Sequence, residues 1–274
     1  MELMNDEKSI NIYTRLHKDR VYLESLGYEV LGVFLQGSQN YHLDYEGSDI
    51  DTKAIVIPSL KDIVLNKKPV STTLILDTSE HIDVKDIRIM FESFKKQNIN
   101  FIEILFTEYS CLNPKYYDIW NAFIDNNEII AHYNNYASVN CIVGMIMEKH
   151  KAMEHRYPTL VDKIDKYGYD PKQLHHIIRC REFLERYIAG EPYAECLIPK
   201  NPQYLIDVKS KAIYTLEEAR ELAERLENEA KAIKDDYIAN NPVIINNYVS
   251  KLFEDTIYKC LLTHYKEEIN GIQF

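Results

Sequence analysis

A glycine–serine pair at Gly37-Ser38, followed about ten residues later by Asp49-Ile50-Asp51, constrains this chain more than any other feature. The pair closes an apolar run, Val30-Leu31-Gly32-Val33-Phe34-Leu35, and the aspartates lead into another, Ala54-Ile55-Val56-Ile57. Short apolar runs bounded by turn residues read as buried strands. Side chains at i and i+2 of a strand share a face, about 7 Å apart. The spacing therefore predicts Asp49 and Asp51 pointing into one site while Ile50 points to the core. Paired carboxylates suit Mg²⁺ or Mn²⁺: magnesium takes hard oxygen ligands, commonly one or two carboxylates plus substrate phosphates. Two such ions about 3.5–4 Å apart clamp the attacking and leaving oxygens of an in-line displacement. Gly37 lets the backbone approach a phosphate. Ser38 offers a hydroxyl where a short helix, near Gln39 to Leu43, is expected to begin. A plainer reading is a Gly-Ser turn followed by a surface Ser-Asp-x-Asp turn. At this spacing, between two apolar strands, a nucleoside triphosphate (NTP) site is favoured.

The 274 residues suggest one large or two modest domains, and 46% hydrophobic content supplies a core. A net charge of −11 argues against a surface that coats nucleic acid broadly, while leaving room for a local basic groove. Five dispersed cysteines with no C-x-x-C or H-E-x-x-H motif indicate neither a zinc site nor a disulfide framework. Reduced thiols, an acidic start without an apolar leader, and no run near the roughly 20 apolar residues of a span predict a soluble, cytoplasmic protein without a membrane partner.

Along the chain, residues 8–26 read as a helix stopped by Gly27, and Pro58 ends the strand after the aspartates. Residues 72–76 read as a strand. Glu80 to Lys85 alternates as a half-buried strand does, with Asp83 sharing a face with His81 and Lys85. Ile87 to Lys96 and the segment from Asn98 read as helices, Asp86 being a candidate cap. Beyond Cys111 everything reads as helix, including 136–155 and a helix opened by Asp170-Pro171. A loop with Pro192, Pro199 and Pro202 comes next, then a capping box at Thr215–Glu218 and a last helix over 242–268.

The helix from Pro171 to Ala189 gathers Leu174, Ile177, Ile178, Leu184 and Ile188 on one side. Lys172, His175, His176, Arg179 and Arg186 gather on the other, with Arg181 and Phe183 out of place. A basic stripe can hold phosphates, Arg as a fork and Lys as a point charge. On spacing alone a solvated face is the plainer explanation.

The Gly-Ser and Asp-x-Asp elements resemble the nucleotidyltransferase superfamily that includes DNA polymerase beta. Tyr169-Asp170-x-Lys172-x-x-x-His176-x-x-Arg179 is similar to the Y-D-x-K-x-x-x-H-x-x-R helix of a branch associated with RNA repair in bacteria and their phages. Asn98, Asn100, Glu103 and Leu105 look like that branch's N-P-x-x-x-E-x-L stretch, although Asn or Ile replaces the proline. For Glu103, plain helix packing is favoured over a catalytic role. The resemblance spans roughly residues 31–188, with gaps. It implies an α+β fold: a small mixed-sheet nucleotidyltransferase domain over residues 1–110, with a helical domain over 111–274 closing over the nucleotide. It implies metal-dependent transfer of a nucleoside monophosphate from an NTP to an acceptor hydroxyl, first an RNA 3′ end and second a protein hydroxyl. Gly37 and Ser38 would bind the β and γ phosphates, and Lys172, His176 and Arg179 the nucleotide or substrate. Asp49 and Asp51 would hold the metals. Asp83 would be the third carboxylate, ahead of Glu80 and Asp86, and help deprotonate the acceptor. A non-catalytic nucleotide-binding module is the rival of a different class.

Overall fold

The computed structural model describes residues 2–45, 47–76 and 80–271. Helix α1 (Glu2–Ser25) ends where Gly27 turns the chain at φ 85° into β1 (Glu29–Gln36). A 3₁₀ turn over Gly37–Tyr41 leads to β2 (Asp51–Ile57), α2 (Leu60–Val64), β3 (Ser71–Ile75) and β4 (His81–Asp86). Next come α3 (Ile87–Lys95), α4 (Ile99–Ile102), a 3₁₀ turn over Glu103–Leu105, and β5 (Ser110–Leu112). The remainder is helical: α5 (Tyr117–Ile124), α6 (Asn127–Ala131), α7 (Asn135–Ala152), α8 (Val161–Tyr167) and α9 (Pro171–Ile188). It ends with α10 (Tyr193–Leu197), α11 (Pro202–Lys211), α12 (Leu216–Asn240) and α13 (Asn247–Gly271).

Among the described residues five strands form one mixed sheet in the order β3-β4-β2-β1-β5. Only β2 and β4 run parallel, with Lys53 opposite Asp83; the other pairs are antiparallel. The α+β class expected from the sequence is the class observed. Edge strand β5 is an addition, because three residues carry no period to read. It packs so closely on β1 that a Cβ at Gly32 would lie 2.7 Å from Leu112 Cδ2. β5 also extends the sheet past residue 110. Helix α10 lies inside the expected proline loop, and the last helix starts at Asn247, five residues later than expected.

The sheet buries both faces. Val33, Leu35, Ala54, Val56, Ile82 and Val84 pack under Ile12, Leu16 and Leu23 of α1. On the other face, Phe34, Ile55 and Ile57 join a cluster containing residues of α3, α5, α7, α9, α12 and α13. Phe34 lies against Trp120 at 4.9 Å between ring centroids. Each fully buried side chain of this size contributes about 1.5–3 kcal/mol relative to exposure. One apolar mass therefore holds the helices to the sheet, and the basic helix α9 is fixed over the ends of β1 and β2. Among the described residues no helix is long and apolar enough to cross a membrane.

Candidate active site

A cavity of about 370 Å³ lies between the sheet and the helical half. Gln36, Gly37 and Ser38 line it where β1 ends, and Asp49 and Asp51 where β2 begins. Lys172, His175, His176 and Arg179 of α9 line the opposite wall, with Lys149 of α7, Lys163 of α8 and Lys209 of α11. Residues far apart in sequence, the Gly-Ser pair, both aspartates and Lys172, His176 and Arg179 of α9, thus meet in one space.

Local chemistry explains each position. Gly37 takes φ 81°, a conformation that L side chains rarely adopt. Asp51 is the first residue of β2, directly opposite Gln36 in the antiparallel register. Asp49 lies in the loop before the strand, so loop geometry, rather than the expected i, i+2 alternation, brings it to the cavity. The Gln36 Oε1 is buried without a hydrogen-bond partner among the described residues. Helix α9 starts as its sequence dictates: the Asp170 side chain accepts the Lys172 N–H, and Pro171 occupies the first turn.

Apart from exposed Lys172, the basic stripe is not a solvated face. His175 is 3% exposed and Arg179 9%. The Arg179 guanidinium stacks 4.1 Å from the Tyr41 ring centroid, and the Lys209 ammonium sits 5.1 Å from that of Tyr45. His175 Nδ1 donates to the Leu205 carbonyl at 2.9 Å. Burial pushes its pKa down to about 4, and burial with neighbouring positive charge holds His176 well below the usual range. Both imidazoles are neutral at pH 7, and the cations of the cavity are five lysine and arginine side chains. They face three acids, Asp49, Asp51 and Glu103. An acidic protein thus carries a locally cationic pocket.

Asp83 is not among the lining residues. Its carboxylate lies between Lys53 Nζ at 3.2 Å and Lys85 Nζ at 2.8 Å. Lys53 is 2% exposed and rests 4.1 Å from the Phe101 ring centroid; burial lowers its pKa and Asp83 opposes the shift. Glu80 pairs with Arg15 and accepts the Ile50 N–H. Asp86 caps α3 and pairs with Arg88. Among the described residues no three His, Cys, Asp or Glu side chains gather to hold a metal. Asp49, Asp51 and the unpartnered Gln36 oxygen nevertheless form an all-oxygen donor set, which fits a magnesium ion that also takes phosphate oxygens.

The Lys53–Asp83 pair has a measurable consequence. Removing one partner of a buried pair strands the other's charge, whereas replacing both partners by uncharged groups is often neutral or stabilising. Asp83→Asn is expected to lower unfolding stability by about 2–4 kcal/mol in urea titration. Lys53→Met should cost less, because Asp83 is partly exposed and keeps Lys85 Nζ at 2.8 Å, and the double variant should recover most of the loss. A double variant as unstable as Asp83→Asn would show that Asp83 stabilises by another route.

Glu103 was read from the sequence as helix packing. It is 3% exposed and lines the cavity, and its backbone carbonyl accepts the Phe106 N–H at 3.0 Å. Burial pushes its carboxyl up to about 8 against the pull of Arg179. Lys149, Lys163, Lys209 and Tyr41 also went unread as site residues. They come singly from separate segments, and no local pattern links them.

No protein-family model matches the chain, and no curated protein matches it. Among solved structures it is similar to a nucleotidyltransferase-like protein from Exiguobacterium sibiricum 255-15. The match has 10% identity over 80% of this chain and 73% of that one, with a TM-score of 0.30.

Proposed function

We propose that this chain is a nucleotidyltransferase of the polymerase beta-like kind, moving a nucleoside monophosphate from an NTP to an acceptor hydroxyl. The observation that carries the reading is the convergence of Gly37-Ser38, Asp49 and Asp51, and Lys172, His176 and Arg179 on one cationic cavity. In this reading Gly37 and Ser38 hold the β and γ phosphates. Lys172 and Arg179 neutralise phosphate charge, and neutral His176 hydrogen-bonds. Asp49 and Asp51, with Gln36 beside them, would hold Mg²⁺ or Mn²⁺, which would supply charge neutralisation at the phosphates. Nucleotidyl transfer asks the protein mainly for positioning and electrostatics. The acceptor oxygen forms a bond to the α-phosphorus, and the bond to the bridging oxygen breaks. Pyrophosphate leaves with the electron pair, and a carboxylate takes the hydroxyl proton. Asp83 fills that last role only if Lys53 or Lys85 releases it.

An RNA 3′ end is the first acceptor proposed. The test incubates the protein with Mg²⁺ or Mn²⁺ and each α-labelled NTP in turn, with RNA, protein extract or no acceptor. Label in RNA is the expected result. Label in a protein band would move the reading to protein modification. No label, with NTP still bound, would leave a nucleotide-binding module.

A further inference from the structure

A second cavity, of about 420 Å³, lies on the other side of the turn that carries the Gly-Ser pair. Tyr41 and Glu103 line both cavities and form the partition between them. Gln39, Asn40 and His42 continue the turn into the second cavity. Phe106, Leu197 and Ile198 give it apolar walls, and exposed Ala194 stands at its rim.

Its chemistry is unlike that of the first cavity. Among the described residues its one lysine, Lys8, is bridged to Asp44 at 2.7 Å, and no arginine lines it. It has no cluster of cations for a phosphate. It does hold buried polar groups without partners. The Tyr41 hydroxyl, on a residue 3% exposed, and the Gln39 Oε1 make no hydrogen bond among the described residues. Beside them the Glu103 carboxyl is kept protonated at neutral pH by burial. Buried polar groups are nearly always satisfied, so unpaired ones call for an explanation such as a bound group. The Gln39 oxygen needs an N–H from a ligand. The tyrosine hydroxyl and the neutral carboxyl can each donate to a ligand acceptor. An uncharged planar group with donors and acceptors on its edge and apolar faces meets all three demands.

We propose that the second cavity binds the nucleobase of the acceptor nucleotide, and that the Tyr41–Glu103 partition is where acceptor and NTP meet. The proposal rests on the nucleotidyl-transfer reading and adds a site to it. The base lies among Phe106, Leu197 and Ile198 with its edge toward Gln39 and Tyr41. The sugar hydroxyl then extends past the partition toward the first cavity.

The test measures binding of adenosine, cytidine, guanosine and uridine to the full chain, alongside a non-hydrolysable NTP analogue. Ala194→Trp fills the second cavity from its rim, and Tyr41→Phe removes only a hydroxyl. Lys172→Ala weakens the first cavity. At least one nucleoside should bind the unaltered protein. Ala194→Trp should weaken it about tenfold or more, and Tyr41→Phe about three- to tenfold. Lys172→Ala should leave nucleoside binding intact and weaken the NTP analogue, while Ala194→Trp leaves the analogue intact. Far-UV circular dichroism checks that each variant folds, and Tyr41→Phe carries the test should Ala194→Trp not fold. Nucleoside binding that is absent, unchanged by both second-cavity variants, or lost in Lys172→Ala would overturn the proposal. So would equal competition by N-acetyl-tyrosinamide, which would point to a protein acceptor. Failure of the NTP analogue to bind the unaltered protein would instead bring down the nucleotidyl-transfer reading itself.

Discussion

The Asp49→Asn, Asp51→Asn double variant is expected to lose transfer by about a thousandfold or more, because its charge-stabilising centre is gone. Asparagine keeps the shape of aspartate and removes its charge. Asp51 has a side chain 40% exposed with His81 Nδ1 at 3.8 Å, and together with Asp49 it only partly offsets the burial that lowers the pKa of Lys209. The fold should therefore be unaffected, with a thermal midpoint within about 2 °C of the parent, as for surface substitutions away from special features. The lysines and Arg179 remain, so metal-free NTP binding should persist or strengthen slightly as repelling carboxylates disappear. Radiolabel transfer, thermal melting and equilibrium NTP binding on one preparation separate these effects. Undiminished transfer in the double variant would end the proposed mechanism.

The second large effect belongs to Glu103. In the unfolded chain this carboxyl ionises near its ordinary value of 4.5, while in the fold burial pushes it up to about 8. The folded state thus binds more protons between those values. The stability this group contributes is fully present below about pH 4.5 and is lost as pH rises through 8. The loss amounts to a few kcal/mol, since each unit of pKa difference corresponds to about 1.4 kcal/mol. Glutamine cannot ionise, so Glu103→Gln should remove this part of the pH dependence. Urea midpoints of both proteins at pH 5, 7 and 9 test it: the advantage of Glu103→Gln should grow with pH. A constant difference would mean that Glu103 is already ionised in the fold, paired with Arg179.

The strands and long helices were legible because each carries its own period and punctuation. Val30–Leu35, Ile82–Val84, the Asp170-Pro171 start and the Thr215–Glu218 box all specify local structure through nearby residues. β5 was not legible, since its three residues become a strand only by pairing with β1. The Gly-Ser, Asp-x-Asp and α9 residues could be named because each forms a local pattern. Their convergence, and the arrival of Lys149, Lys163 and Lys209, are properties of packing. Glu103 was visible as a residue but not as a group in the cavity, because its burial depends on helices distant in sequence. Lys85 could be placed on the face of Asp83 by alternation, but its other lysine partner was hidden: Lys53 reaches it only through the parallel pairing of β2 with β4.

The shared cluster of Phe34 and Ile55 with α9 and its neighbours bears on how a substrate enters. Two bodies joined by a thin hinge can open like a clam and close on what they catch. Here the walls of the cavity are also the walls of the core. Parting them would wet apolar surface at about 25 cal/mol for each Å² exposed. The Arg179–Tyr41 stack would also have to break. The pocket is accordingly a keyhole rather than a jaw: under the proposed function a nucleotide would enter past exposed Lys172 and Tyr45 without the core parting.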